Sequence, residues 1–102
     1  MGLVCYMNYK LALKLKNAGF PFDWILFELE EKNGAIPNNF LHFPTLSKLI
    51  EACGDEFTTL SRHPENWASL GHKEKDTEII AFVEEGKTPE IAVAKLWLKL
   101  NK

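Results

Sequence analysis

The chain has 102 residues, 46% hydrophobic and 25% charged, with 12 basic against 14 acidic side chains. That is enough for one domain, residues 1–102, with its own core. The balance excludes a disordered tail, an apolar run of the ~18–20 residues that span a bilayer, and a protein built around a basic face.

The apolar start Met1–Met7 is short and has no basic residues before it and no small-residue cleavage site after it, so a secretory signal is not expected. Tyr6 stands where a myristoylation motif wants Ser or Thr. Cys5 and Cys53 form no disulfide framework, and the expected compartment is the reducing cytoplasm.

Asn8 is read as the cap of a first helix from Tyr9 to Ala18, with residues 1–7 as a loosely attached extension. Leu11, Leu15 and Ala18 share a face. Gly19, Phe20 and Pro21 then end the helix: a left-handed glycine, a ring that folds back, and a proline that cannot continue.

Phe22 to Glu30 carries Trp, Ile and Phe and an acidic end. Periodicity does not separate strand from helix over so few residues, and β-rich composition favours a strand. Asn33-Gly34 reads as a turn, Ile36–Asn39 as loop, and Phe40–Phe43 as a short edge strand ended by Pro44.

Thr45 is the expected cap of a helix from Leu46 to Cys53, with Gly54 past its end. Leu46, Leu49, Ile50 and Cys53 follow the i, i+3, i+4, i+7 spacing of a buried stripe. Three strands follow in a meander: Phe57–Arg62, Trp67–His72 and Glu78–Glu84, joined by Pro64–Asn66 and Lys73–Asp76. The third is the most apolar and is therefore placed at the centre.

Thr88-Pro89-Glu90 opens a last helix with a hydroxyl cap, a proline whose missing N–H costs nothing there, and an acid at the positive end of the dipole. Val93, Leu96, Trp97 and Leu100 make its inward stripe. The expectation is an α+β domain in the order α-β-α-β-β-β-α. Its expected core is Leu11, Leu15, Leu49, Ile50, Cys53, Ile80, Phe82, Val93, Leu96, Trp97 and Leu100.

Chemistry-bearing residues are sparse. His42, His63, His72, Cys5 and Cys53 lack the close paired spacing of zinc ligands, although His63 and His72 could face each other across a hairpin. Cys53 sits on an apolar stripe, an unsuitable place for a nucleophile. Glu28, Glu30, Glu31, Glu51, Asp55 and Glu56 read as a solvated rim, and no phosphate-binding loop or metalloprotease motif occurs.

The lysines of the first helix (Lys10, Lys14, Lys16) and of the last (Lys95, Lys99, Lys102) read first as wet helix faces and second as a nucleic-acid surface. Aromatics make up 12% of the chain, and Phe20, Phe22, Trp24, Phe40 and Phe43 flank loops, where rings anchor protein interfaces; the same rings also suit a small core.

The stretches Leu15-Lys16-Asn17-Ala18-Gly19-Phe20-Pro21, Thr45 to Gly54 and Gly86 to Leu98 resemble a group of small bacterial, phage and prophage proteins ending in a GKTPEEAVANLWLALNK-like helix. The resemblance runs from about Met7 onward and implies no activity, cofactor or site. A strand entering Gly86-x-Thr88-Pro89-Glu90-x-Ala92 and a helix is also similar to the end of HicB-type antitoxins, whose sheet and helix bind a toxin. The opening helix and the loop after it depart from that pattern.

The expected protein is thus a cytoplasmic accessory protein without catalysis or cofactor. It would act on a protein partner through Phe20, Phe22, Trp24, Phe40 and Phe43. A nucleic-acid-binding or antitoxin-like module is the alternative.

Overall fold

The chain forms two compact units, Met1–Thr45 and Leu46–Lys102. The computed structural model describes residues 2–34 and 43–101, with side chains from Tyr9 onward. Among the described residues there are four helices and one three-stranded antiparallel sheet, an α+β content in the order α-α-α-β-β-β-α.

In the first unit, α1 spans Gly2–Asn17 and α2 Ile25–Lys32. The helix therefore begins well before Asn8, which lies inside it; a residue with cap chemistry caps only where the chain before it is non-helical. Its end follows the expected pattern. Gly19 takes φ 86, its N–H donates to Lys16 O at 3.1 Å, and the Phe20 N–H donates to Leu15 O at 2.9 Å, the paired bonds of a Schellman motif. Leu11, Leu15 and Phe20 are buried.

The expected strand at 22–30 is α2 instead. The Asp23 carboxylate accepts the Ile25 N–H at 3.1 Å, and the Glu28 N–H closes the first turn on Trp24 O at 2.8 Å. From there Leu, Glu and Lys, all good helix formers, carry the run onward. Turning into a helix sets Phe27 inward, stacked on Tyr9 with ring centroids 5.8 Å apart. It also brings Glu28 and Glu31 to the Lys16 ammonium at 3.3 and 3.7 Å, and Glu31 to the Tyr9 hydroxyl at 2.8 Å. A strand offers none of these pairings. The expected strand at Phe40–Phe43 falls largely on residues 35–42, outside the described residues, and Phe43 itself is a buried bend residue.

In the second unit, α3 (Leu46–Cys53) leads through a 3-10 turn, Gly54–Glu56, to β1 (Phe57–Arg62), β2 (Trp67–Lys75), β3 (Glu78–Gly86) and α4 (Pro89–Leu100). The sheet order is β1-β2-β3, so the central strand is β2, and β3 lies at an edge rather than at the centre. A meander allows nothing else: the strand in the middle of the sequence sits in the middle of the sheet.

β2 runs three residues further than its alternation suggests. Its turn to β3 is Asp76-Thr77 alone, with Asp76 at φ 58, a conformation that Asp tolerates better than most residues. Thr58 is the extra residue of a bulge in β1, where the register with β2 shifts.

α4 starts as expected: Thr88 Oγ1 accepts the Ile91 N–H at 3.2 Å and Pro89 occupies the first turn. It packs on β2 and β3 on one side and on α3 on the other. Burial consequently spreads beyond one stripe to Ile91, Ala92, Val93, Ala94, Leu96, Trp97 and Leu100. At ~1.5–3 kcal/mol for each large side chain, this helix holds the largest share of the unit's apolar burial.

The sheet makes room by giving up side chains. Ser69 is fully buried and donates to Ala92 O at 2.7 Å. A Cβ on Gly71 would lie 2.8 Å from Glu56 O and 3.1 Å from a Leu96 methyl, and one on Gly86 only 2.7 Å from Ala92 N. Of the expected core, Leu49 and Cys53 are buried and Ile50 and Phe82 are half-buried. Ile80, 39% exposed, lies outside the core: it is paired with Lys73, close to the turn, on an edge strand.

Candidate functional site: the open face of the sheet

Cross-strand partners in an antiparallel sheet share a face. The register pairs Ser69 with Glu84, Gly71 with Phe82 and Trp67 with Gly86, and Ser69, Gly71 and Gly86 lie against α4. The opposite face must therefore carry Leu70 with Val83, His72 with Ala81 and Glu74 with Ile79, together with Thr59 and Ser61 of β1. α4 packs on the other face and α3 packs on α4, so neither helix of this unit covers this one. Ile79 is 70% and Val83 60% exposed, and with Ile80 they are the exposed large hydrophobics of the unit's described residues. One polar pair interrupts the face: the Thr58 hydroxyl and His72 Nδ1 lie 3.1 Å apart.

The aromatic surface expected from sequence has a different character. Phe20 and Phe43 are buried, Phe22 and Trp24 are half-buried, and Phe40 lies outside the described residues. Trp24 is held in place, its indole N–H donating to Phe20 O at 3.2 Å and its ring edge-on to Phe22 and Phe27 at 4.8 and 5.5 Å. Among the described residues of the first unit, the exposed large hydrophobics are instead Ile25, Leu26 and Leu29 on α2.

The β1–β2 turn forms a shallow polar pocket around Pro64–Asn66, with Arg62, His63 and Lys87 at its rim and Glu65 among them. The His63 N–H closes the turn on Asn66 O at 2.7 Å, and the Arg62 guanidinium stands 5.9 Å from the centre of the Trp67 ring. Arg62, His63 and Lys87 are exposed, and among the described residues no buried polar group converges with them. His63 lies in this turn, whereas His72 pairs with Ala81 further along β2, so the two do not face each other. Among the described residues no three His, Cys, Asp or Glu side chains gather where a metal ion could sit. Of the helix lysines, Lys16 is paired with acids and Lys95 donates to Glu85 O at 3.1 Å, while Lys14 and Lys99 are exposed.

Cys53 is buried as a free thiol, and burial, reinforced by the charge of Glu56, pushes its pKa from 9.0 up to about 11. A thiol held protonated at neutral pH is a poor nucleophile. Because the folded pKa lies above the unfolded one, its contribution to stability is intact below pH ~9 and is lost as pH rises from ~9 toward ~11. The loss amounts to ~2–3 kcal/mol. Urea midpoints should decline over that window more steeply for the wild type than for Cys53→Ala; parallel slopes would contradict it.

No helix of the described residues is long and apolar enough to cross a membrane. No protein-family model, curated protein or solved structure matches the chain.

Proposed function

We propose that the chain is a non-enzymatic accessory protein that docks another protein on the open face of its sheet, with β3 as the principal contact strand. The observation that carries this reading is the pair Ile79 and Val83, large apolar side chains standing exposed on a regular strand, beside Leu70 and Ala81. A rigid sheet presents such residues at low entropic cost, and exposed apolar clusters of this kind mark interaction surfaces. The acidic residues Glu74 and Glu85 supply a polar rim on the same face. The kind of protein proposed is the one expected from sequence, but its contact surface moves from the aromatic loops to the sheet, because Phe20 and Phe43 are buried whereas Ile79 and Val83 are exposed.

The test is capture from host lysate on the immobilised full chain. Wild type and Trp24→Ala should retain the same partner, and Val83→Lys should lose it by about tenfold or more, since a buried lysine opposes docking. Recovery of no protein, or equal recovery by Val83→Lys, would overturn the reading.

A further inference from the structure

Edge strands in isolated domains are ordinarily short or guarded by lysine, proline or a bulge. β3 carries no lysine, proline or bulge of its own, and its charges are Glu78, Glu84 and Glu85. Only near its end does the Lys95 ammonium of α4 sit on an outward carbonyl, that of Glu85. Its nine residues, Glu78–Gly86, pair with β2 in an unbroken register.

The direction of its free backbone groups follows from the turn. Lys75 and Glu78 close a two-residue connection, and the closing pair of such a turn is hydrogen-bonded across the strands. Alternation then gives Glu78, Ile80, Phe82, Glu84 and Gly86 to β2 and points the N–H and C=O of Ile79, Ala81, Val83 and Glu85 away from it. Lys95 agrees with this assignment independently, since its ammonium reaches Glu85 O from outside the ladder.

We infer that a second copy of the chain occupies this edge, β3 pairing antiparallel with β3 about a two-fold axis through Phe82. Registers displaced by an odd number of residues set outward backbone groups against inward ones and put the wrong side chains on each face. Of the remaining registers, the one centred on Phe82 pairs the strand over its whole length. It faces Ala81 with Val83, Ile79 with Glu85, Ile80 with Glu84 and Glu78 with Gly86 of the second copy.

Charge selects the same register. Centring on Ala81 instead would set Glu78 against Glu84 twice, whereas centring on Phe82 leaves no glutamate opposite a glutamate.

Pairing in this way makes one six-stranded sheet. On its open side Ile79, Ala81 and Val83 of one copy run on into the same three residues of the other. The inference goes beyond the docking reading: the edge serves the second copy and the doubled face remains for a partner protein.

Sedimentation equilibrium of the purified full chain, with no other protein present, tests it separately from the capture experiment. The wild type should reach twice the 11.7 kDa chain mass and stop there, because a two-fold contact closes. Ala81→Pro removes an outward N–H without touching the β2 ladder, and Val83→Lys places a charge at an already exposed position. Each should weaken the dimer by about tenfold or more while the folded monomer persists in circular dichroism. If Ala81→Pro fails to fold, Val83→Lys carries the test alone. A wild type that stays monomeric at every concentration, a dimer indifferent to Val83→Lys, or growth beyond the dimer overturns the inference, and none of these bears on whether the open face binds a partner.

Discussion

Trp97→Ala is expected to lower the stability of the second unit by ~3–5 kcal/mol. The indole is 5% exposed on a helix packed on both sides, so its removal leaves a cavity that neither the sheet nor α3 can close by moving alone. In a unit of this size the thermal midpoint should fall by about 15 °C or more, read by circular dichroism. Capture of the partner should be lost with it, because β3 depends on α4 for its position. An unchanged midpoint would mean that α4 is a surface element rather than the centre of the packing.

Gly86→Ala is expected to cost ~3 kcal/mol, at the upper end of what one added methyl does in a packed interior. The methyl would meet Ala92 N and the Ile91 side chain, both at 2.7 Å. Backbone cannot swing aside as a flexible side chain can, so α4 would have to lift from β3. The same change at Gly19, where a Cβ meets nothing within 4 Å but φ is 86, acts through backbone conformation and not through packing. Comparing the two in urea unfolding separates the mechanisms. A Gly86→Ala variant as stable as wild type would contradict the close approach of α4 to β3.

Much of the second unit was legible in sequence. Leu46–Cys53 carries an unambiguous helical stripe, Phe57–Arg62 is bounded by structure-breaking residues, and Thr88-Pro89 fixes the start of α4 by capping chemistry alone. Features set by tertiary placement were harder to read. The apolar content of Ile79–Val83 was visible, but its meaning was not: the same pattern fits a buried central strand and an edge strand with one side uncovered. Only the sheet order and the side chosen by α4 decide between them.

α2 shows a different difficulty. Trp24, Ile25 and Phe27 favour a strand by composition, yet the turn at Asp23 and the acids that meet Lys16 favour a helix. The partner residue lies on another element, and single-segment propensity has no access to it. The burial of Phe20 and Phe43 was hard to read for a related reason: proximity to a loop in sequence does not tell whether a ring such as Phe20 folds inward at a helix end.

The layer between β2 and α4 has a consequence for how this sequence can change. Two positions of β2 that face the helix are small, with Gly71 under Leu96 and Ser69 under Ala92. Substitutions across the layer are therefore coupled. A methyl added at Gly71 would meet Glu56 O at 2.8 Å as well as the Leu96 methyls at 3.1 and 3.2 Å, so shortening Leu96 makes room for it only if the 3-10 turn also gives way. Change at Gly71 therefore engages two neighbouring elements at once, while side chains on the opposite face of the same strand do not meet α4.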